Sequence, residues 1–243
     1  MSNLIPLIVS WDSIYEPPKN TAIYENIFPT PLMLDPYKTY GLALESINTY
    51  YSFPNIRDGV NNKFTYTKSG VETTLYLPTG CYDITTINST IQNLMGADSN
   101  NIVISTIVPQ LKSQILIKAN FTVDFTKPNS INNILGFNSK ILNTGTHISD
   151  EIVNINNTNS LFINCDLISE SYVNGSFSPV IYSFFPNAPP GHKIVQELPR
   201  LNFIRVNKNQ INSIKLWITN QDNELVDFRG ETITLRFYLG EIV

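Results

Sequence analysis

Hydrophobic and polar residues alternate along two neighbouring stretches near the C-terminus, Ser213–Asn220 and Glu231–Leu239, which are joined by a polar turn. The apolar positions of the second stretch are Ile233, Leu235, Phe237 and Leu239. Because the side chains of a strand point alternately to its two faces, this period of two predicts half-buried strands. The two stretches therefore indicate an antiparallel β domain with one face of each strand in a core.

Short strand patterns separated by turn residues recur along most of the chain. A hairpin is predicted around Lys68–Gly70, and Cys165 falls on the apolar face of a strand over Ser160–Ile168. One stretch has a different period. Apolar residues lie at helical spacing over Asp83–Met95, with Asp83 placed as N-cap and Gly96 at the C-terminal end. The sequence thus predicts one short helix at about residues 83–95.

The elements favour an all-β fold, an antiparallel single jelly-roll sandwich, because no alternation of helices with strands supports a parallel sheet. Six prolines fall within the first 38 residues, which predicts an extended N-terminal arm over residues 1–38 with short strand pieces. Residues 39–243 are predicted to form the jelly-roll domain. Eight strands need about 150 to 180 residues, so about 60 are surplus, and residues 80–140 are the candidate for an inserted β subdomain.

Charge narrows the classes of function. Charged residues make up 15% of the chain, compared with about 25% in typical soluble proteins. The net charge is −4, and no segment carries the basic cluster that neutralises phosphates, so nucleic acid is excluded as a partner. The apolar N-terminal stretch is interrupted by Pro6 and has no basic residue, so neither a secretory signal nor a membrane span is expected.

The residue types that carry catalysis are scattered. His147 and His192 are the two histidines, and both lie in polar loops away from other metal-binding residues. A Ser-His-Asp triad stays open, since folding alone brings its members together, but no Gly-x-Ser-x-Gly motif is present. Asp222, Glu224 and Asp227 are close in sequence but fall in a turn, which favours a solvated surface over a glycosidase site. No reaction is indicated.

Six blocks of sequence, taken in their order, are similar to those of a known family. They are Tyr37–Ile47 (YKTYGLALESI), Phe53–Ile56 (FPNI), Leu77–Ile91 (LPTGCYDITTINSTI), Ile134–Phe137 (ILGF), Leu161–Ile168 (LFINCDLI) and Phe203–Leu239. Together they resemble the single jelly-roll penton proteins, or minor capsid proteins, of virophages, Polintons and related small DNA viruses. The order of the blocks carries more weight than any one of them, and they span most of the chain from about residue 37.

The resemblance implies a structural capsid protein that forms a homopentamer, the penton, at the five-fold vertices of an icosahedral shell. The implied partners are other copies of this chain and a double jelly-roll major capsid protein. The resemblance also implies no cofactor and no enzymatic activity, with a location in the virion after synthesis in the host cell. The family pattern accommodates an extra domain inserted in the jelly roll.

Two aromatic residues are candidates for the contact between subunits. Trp217 and Tyr238 occupy the polar sides of the two C-terminal strands, which we expect to be adjacent. Large aromatic side chains are enriched at protein interfaces, so Trp217 and Tyr238 are predicted to form one subunit contact patch. The alternative is that another sheet or loop of the same chain covers them.

Two other classes of function remain open at this point. A receptor-binding or glycan-binding head domain of a viral spike is also a β sandwich, and we expect it to form trimers. An enzyme on a jelly-roll scaffold needs histidines or carboxylates that converge at the mouth of the barrel. The chain has two histidines, which disfavours the cupin version of such an enzyme.

Overall fold

The computed structural model describes residues 4–10, 22–155, 158–168, 171–173 and 175–242. The chain divides into two compact units. Unit 1 comprises Met1–Phe53 and Thr158–Val243, and unit 2 comprises Pro54–Asn157. Unit 2 is therefore inserted into the sequence of unit 1.

The elements are numbered in chain order. Three strands precede the insertion: β1 (Ile5–Val9), β2 (Ile23–Met33) and β3 (Thr39–Tyr50). The described strands of unit 2 are β4 (Lys63–Lys68), β5 (Val71–Tyr76), β6 (Ile102–Ile107), β7 (Lys112–Ile117), β8 (Phe121–Asp124), β9 (Ile141–Leu142) and β10 (Gly145–Ile148). Its helical elements are α1 (Ile84–Met95), α2 (Asn132–Leu135) and two 3-10 segments, Gly96–Asn101 and Val108–Gln110.

Unit 1 resumes after the insertion with a second group of strands. They are β11 (Leu161–Cys165), β12 (Tyr172–Val173), β13 (Ser176–Phe177), β14 (Val180–Phe184), β15 (Lys193–Glu197), β16 (Ile204–Val206), β17 (Gln210–Thr219) and β18 (Thr234–Ile242).

The described strands of unit 1 form two main antiparallel sheets and the separate two-stranded hairpin β12–β13. Sheet 1 has the order β1-β18-β3-β15, with β16 also paired to β3, and sheet 2 has the order β14-β11-β17-β2. In chain order, β1, β2 and β3 belong to sheets 1, 2 and 1. The next two strands, β11 and β14, both belong to sheet 2. The last three, β15, β17 and β18, belong to sheets 1, 2 and 1. This is the strand order of an eight-stranded jelly roll. The predicted all-β single jelly-roll fold is confirmed.

The inward faces of the two sheets share one core. It includes the inward residues of the two C-terminal strands, namely Ile214, Leu216 and Ile218 of β17 and Leu235, Phe237 and Leu239 of β18. Each is at most 1% exposed, so the period of two in the sequence identified the core face correctly. Cys165 is buried in the same core, as predicted, and burial raises the pKa of its thiol to about 12.

The two C-terminal strands do not pair with each other. β17 lies in sheet 2 and β18 lies in sheet 1, so the expectation that they are adjacent is wrong. The reason lies in residues 220–233, which connect them. Val226, Phe228 and Ile233 of this connection are buried in the core, so the chain crosses the end of the sandwich and does not make a tight hairpin.

The described part of the predicted arm contributes one strand to each sheet. β1 pairs with β18, and β2 pairs with β17 as the edge strand of sheet 2. Residues 28–31 bulge out of β2, because only Asn212 of β17 lies between the paired positions on either side of them. Two of the four, Pro29 and Pro31, have no backbone N–H to donate to a neighbouring strand. Residues 1–3 and 11–21 lie outside the described part.

Unit 2 contains two further sheets, β5-β4-β8-β9 and β10-β7-β6, and a hydrophobic core of its own. It begins before the stretch 80–140 that the sequence indicated and ends after it. The hairpin β4–β5 belongs to unit 2 because β4 also pairs with β8. Phe64 and Tyr66 of that hairpin are buried in the core of unit 2.

Helix α1 forms where the apolar spacing predicted it. Asp83 is the N-cap: its Oδ1 accepts the Thr86 N–H at 2.7 Å, and its own N–H donates to Thr86 Oγ1 at 2.8 Å. This capping box satisfies two backbone donors that the helix itself leaves free. Gly96, at φ 60°, ends the helix. The buried face packs Ile84, Ile87, Ile91 and Met95 into the core of unit 2.

Asn55 joins three segments of unit 2 and is 7% exposed. Its Nδ2 donates to the carbonyl oxygens of Tyr82 at 2.7 Å and Ile155 at 2.9 Å, and its Oδ1 accepts the Tyr82 N–H at 2.9 Å. Ile56 and Gly80 form a β-bridge beside it. One amide side chain thus ties the start of unit 2 to its end and to the loop that leads into α1.

We expect Asn55→Ala to destabilise unit 2 by about 3 kcal/mol, because it leaves backbone groups of Tyr82 and Ile155 without their partner. Hydrogen exchange of unit 2 amides combined with denaturant unfolding measures this loss. The matched control is Asn138→Ala, at an exposed position, which we expect to change stability by less than about 0.5 kcal/mol. Equal effects of the two variants would contradict the role given to Asn55.

The capping of α1 predicts a pH dependence. Hydrogen bonds from the Thr86 N–H and then from its hydroxyl lower the pKa of Asp83 below the ordinary 3.8. A lowered folded-state pKa gives stability that is complete above the unfolded pKa and is lost as pH falls through the folded one. We therefore expect Asp83→Ala to cost about 1 kcal/mol at neutral pH, and this difference to shrink as the medium is acidified below pH 3.8.

Urea unfolding at a series of pH values measures this difference. Asp83→Asn is the control, because asparagine caps a helix without a titrating group. It should keep most of the stability at neutral pH and lose the acid dependence that Asp83 contributes. An Asp83→Ala difference that stays constant down to strongly acidic pH would refute this explanation.

Candidate subunit interface

Trp217 lies on the outer face of sheet 2, away from the core. It is half-buried between two cross-strand neighbours, Asn164 of β11 and Ile23 of β2. Its chain neighbours Leu216 and Ile218 are fully buried, so the indole points outward by the alternation of the strand. The Trp217 side chain is therefore a half-exposed aromatic on the outer face of sheet 2.

The next row of side chains on this face is charged. Lys215 pairs across the strands with Glu25, and its backbone N–H donates to Asp166 Oδ1 at 2.9 Å. Asp166 Oδ2 accepts from Lys208 Nζ at 3.1 Å. These side chains are at least partly exposed, so their mutual attraction is weak. Trp217 thus stands at the border of a charged row.

Tyr238 lies on the outer face of sheet 1. Its cross-strand neighbours are Pro6 of β1 and Ala43 of β3. The ring is half-buried, and the next outward position of β18 is the exposed Arg236, which pairs with Ile8 and Ser46. Tyr238 is a second half-exposed aromatic on an outer sheet face.

Trp217 and Tyr238 do not form one patch. The sheets that carry them pack against a shared core, so their outer faces point in opposite directions. The prediction of a single patch is wrong because it assumed that β17 and β18 are adjacent. That each residue contacts another subunit stays a prediction.

One end of the outer face of sheet 1 is covered by the chain itself. Gly41 and Gly240 are paired there, and a Cβ atom on Gly41 would lie 2.9 Å from Phe203 Cβ and 3.1 Å from Ile242 Cγ2. A Cβ atom on Gly240 would lie 2.5 Å from Leu4 Cδ2. The two glycines let these side chains pack on the sheet, so this end of the face is not open to a partner.

Of the residues considered for chemistry, His147 lies on β10 of unit 2 and not in a loop as the sequence indicated, while His192 and the three carboxylates belong to unit 1. His147 Nε2 is 2.7 Å from the Asn143 carbonyl oxygen, and His192 is exposed in a loop. Asp222, Glu224 and Asp227 are exposed in the connection 220–233, as their position in a turn predicted. Within the described ranges, no three His, Cys, Asp or Glu side chains are grouped so as to hold a metal ion. Nor does any described helix have the length and apolar character needed to cross a membrane.

Two polar residues that hold the structure together were not singled out by the sequence. Asn55 lies in the FPNI block and binds Tyr82 of the LPTGCYDITTINSTI block, so two of the six blocks meet in space. Asn164 lies inside the strand LFINC, is 2% exposed, and donates to Thr219 Oγ1 on β17. Asparagine is depleted in strands, and its place in the middle of an apolar strand was the available signal.

The geometry defines unit 1 as a single jelly roll with a domain inserted between its third and fourth strands. No protein-family model matches the chain, and no curated protein matches it. Among solved structures, the chain is similar to the crystal structure of the mavirus penton protein, with 14% sequence identity and a TM-score of 0.49. The match covers 99% of this chain and 100% of the penton chain. The function proposed for this chain rests on its own residues.

The packing at the covered end of sheet 1 predicts that alanine substitutions of Gly41 and Gly240 reduce folding stability by different amounts. Gly41→Ala places a methyl group against Phe203 Cβ, which cannot move without its backbone, so we expect a loss of about 1 to 3 kcal/mol. Gly240→Ala meets only the end of the Leu4 side chain, which can rotate, so we expect a loss below about 1 kcal/mol. Thermal unfolding of both variants checks the order. A larger loss for Gly240→Ala would show that this face is packed differently.

Proposed function

We propose that this protein is a structural capsid subunit, five copies of which form the vertex capsomer, or penton, of an icosahedral virus. The structural observation that supports the proposal is a single jelly roll with the half-exposed aromatics Trp217 and Tyr238 on its two opposite outer faces. A jelly roll alone serves many functions, so the class comes from the six ordered sequence blocks that resemble penton proteins. The role is structural and not catalytic.

A closed ring needs two different contact surfaces on each subunit. Such heterologous contacts join one side of a copy to the other side of the next, and a five-fold rotation closes the ring. Trp217 on sheet 2 and Tyr238 on sheet 1 supply two such surfaces on opposite sides of the sandwich. In the proposed ring, the Trp217 face of one copy meets the Tyr238 face of its neighbour.

The edge strand of sheet 2 is poorly suited to pair with a strand of a neighbouring subunit. This supports subunit contacts through the faces of the sheets. β2 forms that edge, and its bulge over residues 28–31 contains Pro29 and Pro31. Prolines and bulges prevent another strand from pairing with an edge. The low charge of the chain, 15% of residues, also suits a surface that other subunits cover, since the cores of interfaces are depleted of charge.

The further partner in this proposal is a double jelly-roll major capsid protein, and the place of action is the virion after synthesis in the host cell. Both follow from the resemblance of the sequence blocks to penton proteins. The spike-head alternative differs in its expected oligomer, a trimer in place of a pentamer.

The mass of the purified full-length chain in solution tests the proposed assembly. Sedimentation over a wide range of concentrations should show a monomer and a pentamer, and negative-stain images of the larger species should show five-fold rings. A trimer would favour the spike-head alternative, and a chain that stays monomeric at the highest concentration would count against self-assembly into a ring.

If the Trp217 face of one copy meets the Tyr238 face of the next, variants of the two faces should differ in oligomeric state when they are alone and when they are mixed. Trp217→Arg and Tyr238→Arg should each reduce the binding free energy of a subunit contact by about 2 kcal/mol or more. A reduction of this size weakens association about thirtyfold. Each variant keeps one intact face. An equimolar mixture should therefore form a one-to-one heterodimer that cannot extend, because the Trp217 of one variant meets the Tyr238 of the other.

Native mass spectrometry distinguishes the heterodimer when one variant carries a heavy isotope. Ile141→Arg is the control, since Ile141 is 55% exposed and lies on unit 2, and its pentamer should match that of the unchanged chain. A mixture that remains monomeric would contradict the pairing of these two faces. Homodimers of either variant would show that the contact joins two like faces.

A further inference from the structure

An open pocket of about 590 Å³ lies on the outer face of sheet 2, beside the row that contains Trp217. The small hairpin β12–β13 forms one wall, the outward side chains of β11 form the floor, and the connection that begins at Asn220 forms the other wall. The volume falls within the range of about 300 to 1,000 Å³ that is typical of small-molecule sites. All lining residues belong to unit 1.

The lining combines uncharged polar groups with two aromatic rings. The residues used in the argument are Phe162, Asn164, Phe177, Val180, Thr219 and Asp222. Phe177 is 56% exposed and makes an edge contact with the Tyr172 ring, with centroids 6.2 Å apart. Among the described lining residues, the one formal charge is the exposed carboxylate of Asp222. None of the described lining residues is a cation that could attract an anion.

Asn164 is the buried polar group of the floor, at 2% exposure. Its Nδ2 donates to the carbonyl oxygens of Phe162 and Trp217 and to Thr219 Oγ1, each at 3.2 Å. Its Oδ1 takes no hydrogen bond from the described residues, although a side-chain amide oxygen has two acceptor positions. This oxygen is not among the fully buried side-chain atoms that lack a partner, so a donor within the pocket, either water or a ligand hydroxyl, can reach it.

The polar wall is held in place by its own hydrogen bonds. Asn220 Oδ1 accepts the backbone N–H groups of Asp222 at 3.0 Å and Glu224 at 2.9 Å. Gln221 Oε1 accepts the Asn159 N–H at 3.0 Å, which ties this wall to the start of β11. These bonds fix the backbone of the wall, and Gln221 Nε2 donates to Asp222 Oδ2 at 2.9 Å. A site that is ordered before binding loses less entropy when a ligand enters.

We infer that this pocket is a binding site for a neutral sugar. Hydroxyl groups are donors, which suits the Asn164 oxygen and the Asp222 carboxylate as acceptors, while the C–H faces of a sugar ring suit the flat rings of Phe162 and Phe177. An apolar ligand would leave the acceptors without a partner, and an anion would be repelled by Asp222. Trp217 is not part of the lining, and sugar binding is measured separately from ring formation.

Saturation-transfer NMR with the full-length chain tests the inference. The probes are mannose, galactose and N-acetylglucosamine, each beside its methyl glycoside, with N-acetylneuraminic acid as an anionic counter-probe. We expect at least one neutral probe to bind with a millimolar dissociation constant and the anionic probe to bind more weakly. Binding of the glycoside identifies the end of a glycan as the ligand, whereas binding of the reducing sugar alone identifies a free sugar.

Asp222→Asn and Phe177→Ala should each weaken binding about tenfold, and both positions are exposed enough for the fold to survive. Asp227→Asn and Phe185→Ala are the matched controls, at exposed positions outside the lining, and should bind like the unchanged chain. Asn164→Ala should abolish binding but also removes bonds between β11 and β17, so the two exposed variants decide the question.

Three results would overturn the inference: no neutral probe binds, the anionic probe binds more tightly, or the lining variants bind as well as the controls. The mass of each variant in solution is recorded alongside. We expect the pocket variants to assemble like the unchanged chain, so a failure of sugar binding and a failure of ring formation are told apart. Sugar binding that disappears when the chain assembles would show that the pocket is a subunit contact and would also overturn the inference.

Discussion

The side-chain amide of Asn55 makes the bonds on which the inserted unit depends. An insertion in a jelly roll begins and ends at strands whose positions are fixed. The two ends of the inserted unit therefore have set positions, and bonds within that unit hold them there. Asn55 does this with both types of group that an amide offers, donating to the carbonyl oxygens of Tyr82 and Ile155 and accepting the Tyr82 N–H. Because the residue is 7% exposed, water does not compete effectively for these bonds.

Because bonds within the inserted unit hold its two ends together, the jelly roll tolerates about a hundred additional residues. Unit 2 has its own core, with the buried face of α1 and both of its sheets contributing to it, so it does not draw on the core of unit 1. The strands on either side of the insertion, β3 and β11, keep their places in sheets 1 and 2. The sandwich therefore retains the strand order of a jelly roll without an insertion.

The sequence predicted what local periodicity controls, and it missed what depends on pairing. Alternation identified the buried faces of β17 and β18, and cap residues located α1 within a residue of its observed start. Alternation defines which face of a strand is buried, but not the sheet that the strand joins. For β17 and β18 the signal was available in Val226, Phe228 and Ile233, because a tight polar turn has no reason to carry three large apolar residues.

The bounds of the insertion and the floor of the pocket were hidden for a related reason. The hairpin β4–β5 looks like any other hairpin in the sequence, and only its pairing with β8 assigns it to unit 2. The candidate contact residues Trp217 and Tyr238 were found as aromatic side chains on the polar sides of alternating strands, so their faces were identified but their spatial relation was not. Sequence reasoning treated Asn164 as one more member of an apolar strand, although its side chain bridges β11 and β17.

The outer face of sheet 2 has room for both a ring contact and a pocket. Along β17 the outward positions run from Lys215, in the charged row with Asp166 and Glu25, through Trp217 to Thr219 in the lining of the pocket. Trp217 is not part of that lining, and its neighbour Ile23 lies on the edge strand β2. A neighbouring subunit that approaches from the β2 edge covers Trp217 and the charged row first. The pocket lies over β11 and the β12–β13 hairpin, towards the opposite edge of the sheet, but its floor residue Asn164 is the cross-strand neighbour of Trp217, so the proposed ring contact and the pocket are adjacent on this face.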